Sequence, residues 1–352
     1  MVAIPATVAT GGRRQSHRTP DPDQGGAVAK SADSNHQLLR LLGDGEFHSG
    51  EHLAAVLGLS RAAIWKRLRL LREKGLPLVP VRGRGYRLAR AIEPLDADRI
   101  CAGLAAAGLA GQLRVEVLFE IGSTNSFVLE QMPLHGHMAV AEYQTAGRGR
   151  RGNRWLAPLG GSICLSLGWR LDPTPVSVNL LSLLAAAAVI RTLAASGVED
   201  AGVKWPNDLV VGSGKLGGIL IESRAQGGGP TDVVVGIGLN VDLGGELAIP
   251  GGTRAVDLCG ILGETPSRNA VIVRLLVELV GMLRACQNDA VHEYLELWRR
   301  HDVARGRQAR LILPNREVSG RVVDIDDDGL LRMDINGEVS SFSSGELSLR
   351  IE

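Results

Sequence analysis

Ala141-Glu142-Tyr143-Gln144-Thr145-Ala146-Gly147-Arg148-Gly149-Arg150-Arg151-Gly152-Asn153-Arg154-Trp155 sets three arginines among three glycines and spells a GxGxxG from Gly147 to Gly152. A dinucleotide-binding fold requires an apolar helix directly after that pattern. Here Asn153-Arg154-Trp155-Leu156-Ala157-Pro158 follows, which cannot open such a helix. The doubly wound nucleotide fold is therefore set aside. What remains is a flexible cationic loop. Either it folds over an anion, with backbone amides and guanidinium groups donating, or it is an exposed basic loop. A second nucleotide signature also fails. Gly212-Ser213-Gly214-Lys215 has Leu209 where a phosphate-binding P-loop needs its first glycine, and Leu216 where it needs Ser or Thr.

Around this loop, residues 92–303 form a large middle region behind a Pro-containing linker at Ile92–Leu95. Helical stretches such as Leu180–Ala195 and Asn269–Ala285 alternate there with β-branched runs such as Val233–Val241, the pattern of a mixed α/β domain. Residues 304–352 read as short strands at Ala309–Leu313, Val318–Val323 and Leu330–Ile335. Turn signals at Pro314-Asn315, Asp326-Asp327-Asp328-Gly329 and Asn336-Gly337 separate them, and the last pair is a strong hairpin signal. The expectation is a small β-barrel.

In front of the middle region, residues 35–91 read as helix, helix, helix and hairpin. Leu38, Leu39, Leu41 and Leu42 make the first helix. Ser49 caps a second that Gly58 stops, and Ser60 caps a third carrying Ile64, Leu68 and Leu71 at helical spacing. Strands at Leu78–Val81 and Tyr86–Leu88 flank the turn Arg82-Gly83-Arg84-Gly85. That order is a winged helix-turn-helix. On the third helix Arg61, Trp65, Arg69 and Arg72 line up about a quarter-turn from the apolar stripe, with Lys66 further round. Of these, Arg61, Trp65, Lys66 and Arg69 are the candidate DNA-binding residues, with Arg82 and Arg84 at the wing tip set for the phosphate backbone. From Ser60 to Arg90 there are ten Lys or Arg against the single acid Glu73, although the whole chain of 352 residues carries a formal charge of only +1. Such local basicity suits nucleic acid; the alternative is a solvated basic face or a module that only docks on the rest of the chain.

Residues 1–34, rich in Gly, Pro, Ser and Thr, are expected to be a disordered tail, with no apolar core of a signal peptide. A hydrophobic content of 45% supplies real cores and excludes a disordered chain. No apolar run suits a membrane span. Cys101, Cys164, Cys259 and Cys286 are far apart and lack metal-binding spacing, which fits free thiols in a reducing cytoplasm.

Several further segments accompany the arginine loop: Ser123-Thr124-Asn125, Lys204-Trp205-Pro206-Asn207-Asp208, Lys215-Leu216-Gly217-Gly218-Ile219-Leu220-Ile221-Glu222 and Gly236-Ile237-Gly238-Leu239-Asn240-Val241. In this order they resemble the biotin–protein ligase family. Ser60-Arg61-Ala62-Ala63-Ile64-Trp65-Lys66 and Gly83-Arg84-Gly85-Tyr86 resemble its bifunctional members, which also repress biotin genes. The resemblance runs from about Asn35 to Gly345-Glu346-Leu347-Ser348-Leu349-Arg350.

The resemblance implies an α+β multidomain chain: a winged helix-turn-helix, a ligase domain of the biotin/lipoate type, and a C-terminal SH3-like β-barrel. It implies that biotin is adenylated by ATP with Mg2+, then passed to a lysine of the biotin carboxyl carrier protein. Operator DNA and a second copy of the chain in a homodimer are further implied partners. By similarity Lys215 and Arg150 are catalytic. Ser123, Thr124, Asn125, Gln144, Arg148, Gly149, Arg150, Lys215, Gly218 and Gly238 bind biotin. Arg150, Arg151, Trp155, Asn207, Asp208 and Asn240 serve the nucleotide, with Asp208 toward the metal.

The residues themselves leave alternatives. Ser123-Thr124 can be only a helix cap, Gly218 and Gly238 only turn glycines, Lys215 a surface lysine, and Trp155 either an adenine contact or a loop anchor. One departure stands out: no Phe, Tyr or Trp occurs between Trp205 and Tyr294. Bifunctional members place an aromatic over the adenine from a loop after the Gly-Ile-Gly segment, so here either aliphatic groups near Val256 cover the adenine or it is less tightly held. The rival functions are a lipoate-type ligase or acyltransferase, and a transcription regulator that only senses a small molecule. Retention of Lys215 and all three loop arginines speaks against the last.

Overall fold

The computed structural model describes residues 34–172, 176–225, 229–245, 254–288, 290–313, 316–343 and 348–351. All but the last residue of the expected tail, the Pro314-Asn315 turn and Gly345-Glu346-Leu347 lie outside the described residues.

The front module has the expected order. Helix α1 covers residues 34–42, α2 runs Gly50–Leu57 and α3 runs Arg61–Glu73. Strands β1 (Leu78–Val81) and β2 (Gly85–Leu88) pair antiparallel, Leu78 opposite Leu88. The serines cap as the sequence predicts. Ser49 Oγ accepts from His52 N at 3.0 Å and Ser60 Oγ from Ala63 N at 3.2 Å, each satisfying an orphan amide of its helix. Gly58 ends α2 at φ 62°, a conformation that suits a residue without Cβ. Leu38, Leu39, Leu42, Leu53, Ile64, Leu68 and Leu71 are fully buried.

This core does not close on itself. It takes in Phe119 and Leu159 from the middle region. At the end of α3, the Lys74 carbonyl accepts from Leu159 N at 2.9 Å, the Lys74 ammonium pairs with Glu120, and Gly75 lies against Pro158. The linker is tied down by charge. Glu142, whose side chain is wholly buried, accepts from Leu95 N at 2.6 Å and pairs with the equally buried Arg268 at 2.8 Å. Arg268 also donates to the Glu93 carbonyl. Removing either member would strand a buried charge, a cost of roughly 3–5 kcal/mol.

The middle region is one seven-stranded sheet, ordered β3-β4-β5-β9-β8-β7-β6. Its strands are β3 (Arg114–Ile121), β4 (His137–Gln144), β5 (Ser162–Leu171), β6 (Ala201–Lys204), β7 (Asp208–Val211), β8 (Gly214–Ala225) and β9 (Thr231–Asn240). Only β3 and β4 run parallel. Helices α4 (Ala97–Ala106), α5 (Thr124–Leu129), α6 (Val178–Ala194), α7 (Leu258–Leu262), α8 (Arg268–Gln287) and α9 (His292–His301) complete it. Helix α6 is apolar nearly all round, with residues 183–190 buried without exception, so it is an interior helix.

The strand period of two sorts the faces. Ile163, Leu165, Leu167 and Trp169 of β5, and Val233, Val235, Ile237 and Leu239 of β9, join the core that holds α6 and α8. The alternate positions Cys164 and Ser166, and Gly236, Gly238 and Asn240, turn to the opposite side, where α5 packs. That side carries the site.

The C-terminal strands β10 (Gln308–Ile312), β11 (Glu317–Ile325), β12 (Leu331–Ile335), β13 (Glu338–Phe342) and β14 (Ser348–Ile351) form an antiparallel sheet ordered β13-β12-β11-β10-β14. The Asn336-Gly337 hairpin is present, with φ of 57° and 92° joining β12 to β13. The expected barrel is not closed: among the described residues β13 and β14 are the two edges and do not pair. The physical reason is that the apolar face has cover elsewhere. Ala309, Leu311, Val322, Leu331, Met333 and Leu349 belong to the same core as the middle region. The Asp326–Gly329 turn docks there too. Gly329 meets Leu180 of α6 and its carbonyl accepts from the Trp205 indole at 3.2 Å. Among the described residues no helix is long and apolar enough to cross a membrane.

Candidate active site and nucleic-acid face

Strand pairing builds the floor of a cavity of about 280 Å3. Cys164, Gly238 and Gly218 lie side by side across β5, β9 and β8, and Ser166, Gly236 and Leu220 form the next row. Glycines at the centre of both rows make a trough. An added Cβ on Gly238 would meet the Trp155 ring at 2.6 Å, and one on Gly236 would collide with the Asn125 amide. These glycines are close-approach positions, not turns. Beneath them Cys164 is fully buried, which pushes its thiol up to about 11 against the opposing contacts of Trp155 and Gln144.

At one end of the trough the N-terminus of α5 brings polar groups together. Ser123, Thr124 and Asn125 are nearly buried. Gln144 Oε1 accepts from Thr124 N at 2.8 Å. Ser166 Oγ lies 2.8 Å from Thr124 Oγ1 and donates to Asn125 Oδ1 at 2.6 Å. Asn125 Nδ2 donates to the Leu220 carbonyl at 3.2 Å and to Glu222 at 3.0 Å. Both amide hydrogens of Asn125 are thus engaged by the protein, so it braces this end of the cavity. Ser123 makes no side-chain cap bond, which answers the helix-cap alternative for that hydroxyl.

At the other end, Lys215 of β8 pairs with Asp208, whose second oxygen lies 3.5 Å from Lys204 Nζ. Asn207 Nδ2 holds the Ile219 carbonyl at 2.8 Å, and Asn240 Nδ2 holds the Val256 carbonyl at 3.0 Å. Both amides therefore shape strands. The segment carrying Ala255 and Val256 joins β8 through Lys215 N to the Arg254 carbonyl and Val256 N to the Lys215 carbonyl. Val256 packs on Gly214. With both oxygens of Asp208 on ammonium groups, and no cluster of three His, Cys, Asp or Glu among the described residues, a protein-built magnesium cage does not fit.

The arginine loop forms a small lobe over the cavity. Arg148 bridges to Arg154, Gly149 N donates to the Asn153 carbonyl at 2.7 Å, and Trp155 N to the Gly147 carbonyl at 2.9 Å. Its tip turns through Arg151 at φ 59° and Gly152 at φ 72°. A left-handed arginine is a strained residue of the kind concentrated at functional sites. Arg148, Gly149, Arg150, Arg151 and Trp155 all line the cavity. Burial draws the Arg150 guanidinium below the usual arginine range; Asp208 opposes this and Arg151 adds to it.

Every residue expected to bind biotin or nucleotide thus lines one cavity. Sequence reasoning missed four that also shape it: Ser166, Glu222, Lys204 and Arg350. Ser166 and Glu222 were marked by strand alternation, each a polar side chain on the trough side of an apolar strand. Arg350 reaches the cavity from the last strand and carries no local signal.

On the front module a groove between α3 and the wing is lined by Arg61, Trp65, Arg82 and Arg84. Trp65 is 55% exposed, with the Arg69 guanidinium 5.3 Å from its ring. Lys66 and Arg82 are exposed. Glu51 pairs with Arg61 at 2.8 Å and Glu73 with Arg69 at 3.6 Å. Arg84 stacks 3.9 Å from the Phe47 ring, an anchor the sequence did not mark.

Comparison with known proteins agrees with this layout. The profile of the Biotin/lipoate A/B protein ligase family matches residues 120–240, that of an HTH domain matches 35–87, and that of the Biotin protein ligase C terminal domain matches 306–350. Bifunctional ligase/repressor BirA of Salmonella typhimurium is 38% identical over 317 residues, covering 89% of this chain and 96% of its own. A Biotin–[acetyl-CoA-carboxylase] ligase of Mycobacterium tuberculosis is 36% identical over 263 residues, 72% of this chain and 95% of its own. Among solved structures, the biotin protein ligase from Aquifex aeolicus in complex with biotin and ATP superposes with a TM-score of 0.59 at 26% identity, covering 68% of this chain and 99% of that one. Because the enzyme-and-repressor relative aligns along almost the full length of both sequences, the chain belongs to the family of bifunctional biotin–protein ligases and repressors.

Proposed function

We propose that this chain adenylates biotin in the glycine trough and transfers it to a lysine of the biotin carboxyl carrier protein, and that its front module represses biotin genes by binding operator DNA. The observation that carries the enzyme reading is the cavity itself. A narrow trough with a polar, braced end is joined to a cationic end made of Lys215, Lys204, Arg150 and Arg151. The polar end suits the ureido ring, and the trough the thiophane and tail. The biotin carboxylate oxygen attacks the α-phosphorus of ATP and pyrophosphate leaves. The acceptor amine then attacks the acyl carbon, AMP leaves, and the amine gives up a proton.

Attack of one anion on another needs fixed positive charge where the transition state gathers negative charge. Lys215 supplies it from a strand, and the arginines from a lobe that covers the site. The substrate carboxylate takes the place of Asp208 beside Lys215, leaving Lys204 to hold Asp208. Magnesium belongs to this scheme as part of the ATP substrate, bound mostly through phosphates. Gln144 and Thr124 present hydroxyl and amide groups toward biotin. Asn207 and Asn240 serve the nucleotide through the strands they hold.

The test is direct. The purified chain, incubated with labelled biotin, ATP and a carrier domain, is expected to label the carrier. Labelling with lipoate and none with biotin would overturn the reading in favour of a lipoate ligase. For repression, the expected result is a specific gel shift of the biotin-gene promoter that strengthens with biotin and ATP; no specific shift would reduce the front module to a packing element. We also infer a homodimer in a reducing cytoplasm. Two copies would present two recognition helices to a two-fold operator, and the four cysteines are free thiols.

A further inference from the structure

We propose that Glu222 is a positioning residue for the reaction, a latch whose two carboxylate oxygens tie the arginine lobe to the braced amide on the cavity floor. The proposal rests on the adenylating reading of the site and names what holds its lid. Glu222 Oε2 accepts from Asn125 Nδ2 at 3.0 Å, and Oε1 pairs with Arg148 Nη1 at 2.9 Å. Asn125 is immobile: nearly buried, pressed against Gly236, and fixed at its own oxygen by Ser166. Arg148 belongs to the arginine lobe. It is half exposed, leans on Ser126 Oγ at 3.4 Å, and opens the lobe through its bridge to Arg154.

Because residues 148–154 are hydrogen-bonded to one another, fixing Arg148 fixes Arg150 and Arg151 over the cavity as well. Beside this ion pair, Trp155 packs against Gly238 and the Arg154 guanidinium donates to the Thr145 carbonyl at 3.2 Å. The Glu222 side chain is 20% exposed, so its pair with Arg148 is less screened than a surface bridge. One carboxylate therefore joins the end of the trough that receives the ring to the groups that retain the phosphate.

Two measurements on the full chain test this. The first is the rate at which trypsin cuts after Arg150 and Arg151 in the unliganded protein; the second is the rate of release of preformed biotinyl-adenylate. Glu222→Gln and Arg148→Gln are each expected to speed both by about five- to tenfold, the worth of a partly screened ion pair. The double variant is expected to be no faster than either single one, since both remove the same tie. Wild-type rates in Glu222→Gln, or additive effects in the double variant, would overturn the latch. If Glu222→Gln does not fold, Arg148→Gln carries the test alone, and wild-type rates there overturn it. The protease measurement needs no ligase activity. A wild-type chain that makes no adenylate therefore refutes the functional reading, while the latch is still judged by cleavage.

Discussion

Lys215 shows how little a single residue reveals until its neighbours are placed. In the sequence it resembled a failed P-loop lysine, and only the flanking segments marked it. In the structure its ammonium faces Asp208 at the rim of the trough, across from the arginine lobe. Lys215→Ala is expected to lower adenylate formation by at least about a thousandfold, the scale of losing a fixed transition-state charge. Thermal unfolding should stay near wild type, because the side chain is not in a hydrophobic core; pyrophosphate release and calorimetry check the two halves. Gly238 makes the complementary case. Its role as a trough residue follows from pairing with Gly218 and Cys164, which no local pattern states. Gly238→Ala must displace the Trp155 indole, and biotin affinity is expected to fall about tenfold, measured by titration calorimetry.

At the scale of elements, the front module was the most legible part of the chain. Ser49, Gly58 and Ser60 carry their caps within three residues, so local chemistry sets those boundaries. The arginine lobe was only half legible. Its charge was evident, but its tie to Glu222 depends on a partner more than seventy residues away. The C-terminal strands were read correctly and their closure was not, because a sheet edge leaves no trace in strand periodicity. For α3 and the wing the prediction is electrostatic. Arg82 is exposed, and Arg61 must release Glu51 to reach a phosphate. Arg82→Ala is expected to weaken operator binding and reduce the slope of log affinity against log salt by about one unit, measured by anisotropy across a salt series.

For the molecule as a whole, the joints between modules combine shared apolar packing with buried polar ties, and sequence could not show the polar ties. The Glu142–Arg268 pair fastens the linker, while Asp302 sits where the last helix meets β6 and the C-terminal sheet. Burial pushes Asp302 up to about 6; the Ala304 amide opposes this and Asp324 reinforces it. Since the folded chain holds this proton more tightly than the unfolded one, the contribution of Asp302 is most favourable below about pH 4 and is lost as pH rises through about 6. Asp302→Asn is therefore expected to stabilise the protein at pH 7.5 by roughly 1–2 kcal/mol, allowing for residual exposure, with the gain fading toward pH 4. Denaturant unfolding at several pH values reads this out.

The hydrogen bond from Leu159 to the end of α3 has a thermodynamic corollary. Three residues separate it from the indole that lies on the trough. Any displacement of one end by a small molecule must therefore work against whatever holds the other. Influence between two such places is reciprocal by necessity. If loading the vitamin intermediate tightens the grip on a promoter by some factor, saturating that promoter must tighten the hold on the intermediate by the same factor. Equilibrium titrations run in both directions should return a single number. A gene's own control region would then act as a reservoir, keeping charged enzyme from the carrier until the acceptor pool competes for it.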